Sequence, residues 1–127
     1  MYESLLERYG DTAFADFTKA SEEELRELRS QPGVPADYVA FLEEVGWGEL
    51  GVGWSFMFYS GPEDPGFVYP DWQGPSGSLL FGDDMQGYCM AFDGKGGLIE
   101  FDPRGRGEPE EGTFRDFLEK RLKGGDD

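Results

Sequence analysis

The hydrophobic period changes once along this chain, near residue 52, and that change limits what it can fold into. Before it, apolar residues recur at helical spacing. Tyr2, Leu5, Leu6 and Tyr9 fall at i, i+3, i+4 and i+7, and so do Tyr38, Phe41, Leu42 and Val45. After it, Trp54, Phe56 and Phe58 alternate with Ser55, Met57 and Tyr59, and Tyr88, Met90 and Phe92 alternate with Cys89 and Ala91. That is the two-residue period of a strand, whose side chains point to opposite faces in turn. Helices come first, strands follow, and no βα alternation supplies the crossovers that a parallel sheet needs. The order predicts an α+β fold in a single domain over residues 1–127. A largely antiparallel sheet of about five or six strands would pack against about four helices lying on one face.

Local signals place the boundaries. The first helix ends at Gly10. Ser21 with Glu24 is a capping-box pair that opens a second helix over residues 22–30, with Leu25 and Leu28 facing inward and Pro32-Gly33 ending it. Pro35 suits the first turn of the third helix, and Gly46 its stop. Leu79, Leu80 and Phe81 make a short strand, DGKGG at 93–97 a hairpin turn, and residues 98–101 the returning strand. Thr113 with Asp116 caps a last helix whose buried stripe is Phe114, Phe117, Leu118 and Leu122. Residues 60–77, with Pro62, Pro65, Pro70 and Pro75, read as a long surface loop with at most short extended pieces, residues 103–112 as a Gly- and Pro-rich connection, and residues 124–127 as a disordered tail. No internal repeat stands out.

Charge narrows the partners. The chain has 27 Asp+Glu against 11 Lys+Arg, a net charge of −16, so it repels phosphate backbones and anionic membrane surfaces and attracts basic proteins. The alternative is that surplus acid only keeps the chain soluble. With 38% hydrophobic and 16% aromatic residues there is ample material for a core, which excludes global disorder. One cysteine, Cys89, allows no internal disulfide, and neither a signal pattern nor a membrane-spanning apolar run is visible, so a cytoplasmic location is expected.

Catalytic and cofactor chemistry find little support. GWGELG at 46–51 matches G-x-G-x-x-G, but that fingerprint needs a strand before it and a helix after it, and here the order is reversed. Gly94-Lys95 is followed by Gly96, which rules out a phosphate-binding Walker loop. There is no histidine, hence no Ser–His or Cys–His pair, and Cys89 lies between apolar neighbours as an inert buried thiol would. The calcium-loop spacing is absent, and Asp83, Asp84 and Asp93 read as turn carboxylates better than as a cation site. No catalytic residue, cofactor, metal or small-molecule ligand is expected.

What remains is a mixture of aromatic and acidic residues in the expected loops. Trp47, Trp54, Phe67, Tyr69 and Trp72 lie near Glu49, Glu63, Asp64 and Asp71. Aromatic residues concentrate at the centres of protein interfaces, and an acidic rim selects a basic partner. The competing reading is that these rings close the core, which fits Trp54 by its alternation with Phe56 and Phe58. Trp47 is expected to pack and Glu49 to be exposed. The candidate partner-binding residues are Glu49, Glu63, Asp64, Tyr69, Asp71, Trp72, Asp83 and Asp84.

Several segments together resemble one family. SEEELRELRSQPG, VPADYVAFLEEVGWGEL, the strand pair around FGDDMQGYCMAFD and the closing FRDFLEKRL are similar to the SUKH superfamily of Smi/Knr-like proteins, over residues 17–122. The most specific pieces are Pro35, Tyr38, Phe41 and Leu42, the glycines that follow, and Gly87 with Phe92-Asp93. The resemblance implies an α+β domain without enzymatic activity. In the bacterial branch it implies an immunity protein that neutralises a polymorphic toxin, often a nuclease, and it assigns no site residue. A basic toxin domain would suit the charge read above. The alternative is a general intracellular scaffold or regulatory module of the Smi/Knr type with no toxin partner.

Overall fold

A computed structural model describes residues 1–51, 55–70 and 77–123. Three helices come first: α1 (Glu3–Tyr9), α2 (Glu22–Ser30) and α3 (Ala36–Glu44). Six strands follow: β1 (Gly48–Glu49), β2 (Met57–Glu63), β3 (Leu79–Asp83), β4 (Cys89–Phe92), β5 (Leu98–Phe101) and β6 (Gly107–Glu110). Helix α4 (Phe114–Lys123) closes the chain. The strands form one antiparallel sheet in sequential order from β1 to β6. The α+β class, the single domain and the helix boundaries read from the sequence all agree with this architecture.

The caps explain why the helices begin where they do. Ser21 Oγ accepts the Glu24 N–H at 3.2 Å while Glu24 Oε1 accepts the Ser21 N–H at 2.9 Å. Thr113 and Asp116 make the same reciprocal pair at the start of α4, at 3.2 and 2.9 Å. On the helix side of the sheet the core is a stack of rings: Tyr38, Phe41, Phe58, Phe81, Phe92 and Phe114 are all fully buried or nearly so. Their centroids sit 4.6–6.4 Å apart in a mixture of edge-to-face, tilted and stacked pairs, within the range over which aromatic quadrupoles interact.

The opposite face carries a second, smaller cluster, which period-2 alternation requires but the reading of a one-sided sheet did not anticipate. Leu80, Cys89, Ala91 and Phe101 are buried there beneath Tyr69, with Tyr59 and Ile99 packed at its margin. All four residues of β4 are buried for this reason.

Three corrections concern segments rich in Gly and Pro. Residues 60–63 are more than a short extended piece within a loop: they are the second half of β2, where the pairing with β3 jumps from Phe58↔Gly82 to Glu63↔Leu80. This irregularity in the register accommodates Gly61 and Pro62, since proline cannot donate to a ladder. Residues 107–110 are likewise a strand, the edge strand β6, in register with β5 from Phe101↔Gly107 to Leu98↔Glu110.

The third correction is that an internal repeat does exist. Asp84, Asp93 and Asp102 lie nine residues apart, each followed at the third position by a glycine: Gly87, Gly96 and Gly105. In every case one carboxylate oxygen accepts the N–H groups two and four residues on. These are Gln86 and Tyr88 for Asp84, Lys95 and Gly97 for Asp93, and Arg104 and Arg106 for Asp102, at 2.7–3.1 Å. The three glycines take φ of 101°, 91° and 83°, a region that L side chains rarely adopt. One turn design, used three times, builds the meander β3–β6.

The G-x-G-x-x-G segment has a packing explanation. A Cβ at Gly46 would collide with the carbonyl of Thr18, one at Gly51 would sit 2.6 Å from that of Thr12, and one at Gly48 3.1 Å from the Phe17 ring. All three glycines therefore let residues 46–51 run against the stretch 12–18, where Thr18 and Trp47 exchange backbone hydrogen bonds at 3.0 and 2.9 Å. That stretch also brings Phe14 and Phe17 onto Phe41, packing that no periodic pattern announces.

Candidate functional site

Most large apolar side chains in this fold are buried. Phe67 is not, and its exposure is built in. It ends the 3₁₀ turn Pro65–Phe67, whose N-cap Asp64 accepts the Gly66 N–H at 2.7 Å. Pro65 is buried at the start of this turn, and Tyr69 is buried two residues after Phe67, with its N–H donating to the Pro65 carbonyl at 2.8 Å. Anchored on both sides, the turn holds Phe67 80% exposed and Val68 44% exposed.

These two side chains help to line an open groove of about 370 Å³ along β2. Met57, Phe58, Tyr59 and Ser60 of β2 line it as well, together with Trp47 and Glu63. Trp47 packs against the core from its partly buried position. Exposed Glu49 stands opposite Met57 in the β1–β2 register, and exposed Asp64 follows Glu63 in sequence. Among the described residues, no basic side chain lines the groove. Glu49, Glu63 and Asp64 are thus brought to one surface, around apolar and aromatic side chains that sequence reasoning left out of the candidate set. Phe67 was read among the loop aromatics, but nothing in the sequence marks the Phe67-Val68 pair as the exposed one, because its projection depends on Pro65 and Tyr69 being buried on either side.

The other candidates are placed differently. Tyr69 is not an outward loop aromatic. It is 7% exposed, tilts against the Phe101 ring at 6.0 Å, and its hydroxyl donates to the Gly87 carbonyl at 3.4 Å. Asp83 and Asp84 hold the first turn of the repeat. Asp83 accepts the Met85 N–H at 2.8 Å through one oxygen and the Tyr59 hydroxyl at 2.6 Å through the other. Met85, with φ of 65°, is the non-glycine residue that this turn keeps in the left-handed region. Trp54, Asp71 and Trp72 lie outside the described residues.

Two further features have chemical character. Cys89 is buried between the Tyr59 and Tyr69 side chains, and burial above all pushes its thiol up from the usual range, so the reactive thiolate is disfavoured. Beneath α4, Glu100, Glu110, Lys120 and Arg121 line a cleft of about 150 Å³ with Met90 and Phe117. There the Arg121 guanidinium lies 5.3 and 5.4 Å from the Phe56 and Phe117 ring centroids. Burial, then the neighbouring Glu110, raises the Glu100 carboxyl, and Arg121 partly offsets this. Lys120 pairs with Glu110 at 3.6 Å, so this cleft is a set of internally matched charges beside a helix. Among the described residues, no three His, Cys, Asp or Glu side chains come together as a metal site, and no helix is long and apolar enough to cross a membrane.

Compared with known proteins, the chain matches no family model, no curated protein and no solved structure.

Proposed function

We propose that the chain is a non-enzymatic protein-binding domain: a cytoplasmic immunity protein, similar to the bacterial SUKH proteins, that neutralises a basic toxin domain such as a nuclease. The observation that carries this reading is the groove along β2. It exposes Phe67 and Val68 on a hydrogen-bonded turn, is flanked by Glu49, Glu63 and Asp64, and among the described residues has no basic side chain in its lining. Aromatic and aliphatic side chains at the centre with acids at the rim are what a basic protein surface would meet with complementary shape and charge. The net charge of −16 adds long-range attraction for the same class of partner and repels nucleic acid.

The test is co-expression. A C-terminal toxin domain encoded beside this chain's reading frame is expressed in a host with and without it. Survival only in its presence, with a complex recovered on size exclusion, is the expected outcome. Equal killing in both cultures, with several weak partners recovered instead, would replace the immunity reading with that of a general scaffold.

A further inference from the structure

The groove has a chemistry more specific than acidic and apolar. Four ring-bearing residues line it together with Glu63, and three of them, Trp47, Tyr59 and Phe67, keep more exposure than the fully buried Phe58. A cation over the face of an aromatic ring is attracted by the ring quadrupole, most strongly at Trp, and a nearby carboxylate adds a charge-assisted hydrogen bond. Guanidinium suits such a site better than ammonium, because it is planar, weakly hydrated and able to stack on a ring while its edge pairs with a carboxylate. Met57 and Val68 add aliphatic surface to the same lining, which apolar neighbours of the cation could cover. The Tyr59 hydroxyl is already committed to Asp83, so that ring is fixed in place and offers its apolar body.

We infer that the groove seats an arginine side chain of the partner protein, flanked by apolar residues, with the guanidinium among Trp47, Tyr59 and Phe67 and paired with Glu63. This rests on the reading of the chain as a binder of basic protein. The probe is the peptide acetyl-Leu-Arg-Leu-Arg-Leu-amide, followed by heteronuclear NMR on the full chain, beside the same peptide with citrulline in place of arginine. Citrulline keeps the shape and removes the charge. The expected result is saturable shifts at Trp47, Tyr59, Glu63 and Phe67, with the citrulline peptide binding at least about tenfold more weakly. Phe67→Ala and Glu63→Gln each weaken the arginine peptide about fivefold or more, while the remaining spectrum stays that of the folded chain.

Shifts spread along the acidic first turn of α2 and unmoved by Phe67→Ala would overturn the inference, as would equal binding of the two peptides or no saturable shift. The two readings fail separately. A Phe67→Ala variant that loses the peptide but still protects cells from the toxin overturns the arginine site and leaves the immunity function standing. Peptide binding that is intact in a chain that protects against no toxin does the reverse.

Discussion

The Tyr59 hydroxyl donates to Asp83 Oδ2 at 2.6 Å, and that one bond joins the lining of the groove to the first turn of the nine-residue repeat. Because Asp83 also holds Met85 at a positive φ, removing Tyr59's donor loosens a strained turn as well as a ring. Tyr59→Phe is expected to cost about 1–2 kcal/mol, the usual penalty for a half-buried acceptor left without its donor. Urea unfolding measures it, and Asp83→Asn should cost little more once Tyr59 is already Phe. Full additivity of the two substitutions would show that the bond contributes nothing.

The repeat makes a prediction about the glycines that share its third position. Replacing Gly96 by Ala forces a φ of 91° on a residue with a Cβ, although open space surrounds it, so the expected loss is about 1 kcal/mol from backbone conformation alone. At Gly87 the same change also drives a Cβ to 3.0 Å from Pro103 Cγ, so its loss should be larger. Equal melting temperatures for the two variants would mean that the Pro103 contact yields freely.

Two carboxyls make opposite contributions to the pH dependence. Asp102 is held below its ordinary value, first by the Arg106 N–H and also by that of Arg104. Its folded form therefore prefers the carboxylate. The stability it supplies is present above the unfolded carboxyl pKa and disappears as pH falls through the folded one. Glu100 is raised, chiefly by burial and then by Glu110, so its contribution is present at low pH and is lost as pH rises through the folded value. Glu100→Gln should accordingly raise the melting temperature at pH 7 and change it less at pH 4. Asp102→Ala should destabilise at pH 7 and matter least in acid. A Glu100→Gln effect of the same size at both pH values would place the cause in packing instead of charge.

How far the sequence announced these features depends on how many residues each one uses. Helix α3 needs four apolar positions at fixed spacing, Tyr38, Phe41, Leu42 and Val45, and all four are buried as read. The capping boxes at Ser21 and Thr113 are each specified by two letters three apart, and both form. Strand β6 was illegible because GEPE has no apolar alternation. Its register is inherited from the Asp102 turn and from pairing with β5. The repeat itself escaped notice because only Asp and Gly recur in nine positions, in a chain with 20 glycines and 27 acidic residues. Of the site, Glu49, Glu63 and Asp64 were legible as acids in expected loops. Phe67 and Tyr69 look alike in sequence, and only the second face of the sheet, which draws Tyr69 and Pro65 inward, separates a buried ring from an exposed one.

That separation sets up a paired test of fold against function. Phe67→Ala removes a ring that is 80% exposed, so stability should change by no more than about 0.5 kcal/mol. Phe58→Ala, at the centre of the aromatic stack, should cost about 3–5 kcal/mol. If Phe67→Ala destabilises as much as a core truncation, the ring is a structural element and the groove is not free for a partner.

The last prediction concerns rates. A chain with net charge −16 meeting a basic partner gains its attraction at distances of several ångströms and more, where salt screens it, whereas contacts within the groove act at van der Waals range and are screened little. Raising ionic strength from about 20 mM to about 500 mM shortens the Debye length from roughly 20 Å to about 4 Å. The association rate with the cognate toxin domain should then fall by about tenfold or more, while the dissociation rate changes far less. Charge reversal at Glu49 and Glu63 should lower the low-salt association rate and flatten its salt dependence, and Phe67→Ala should act mainly on dissociation. Stopped-flow mixing at several salt concentrations separates these effects. If association is equally fast at low and high salt, charge steering has no part in recognition. If charge reversal at Glu49 and Glu63 leaves both rates unchanged, the partner binds elsewhere on the molecule.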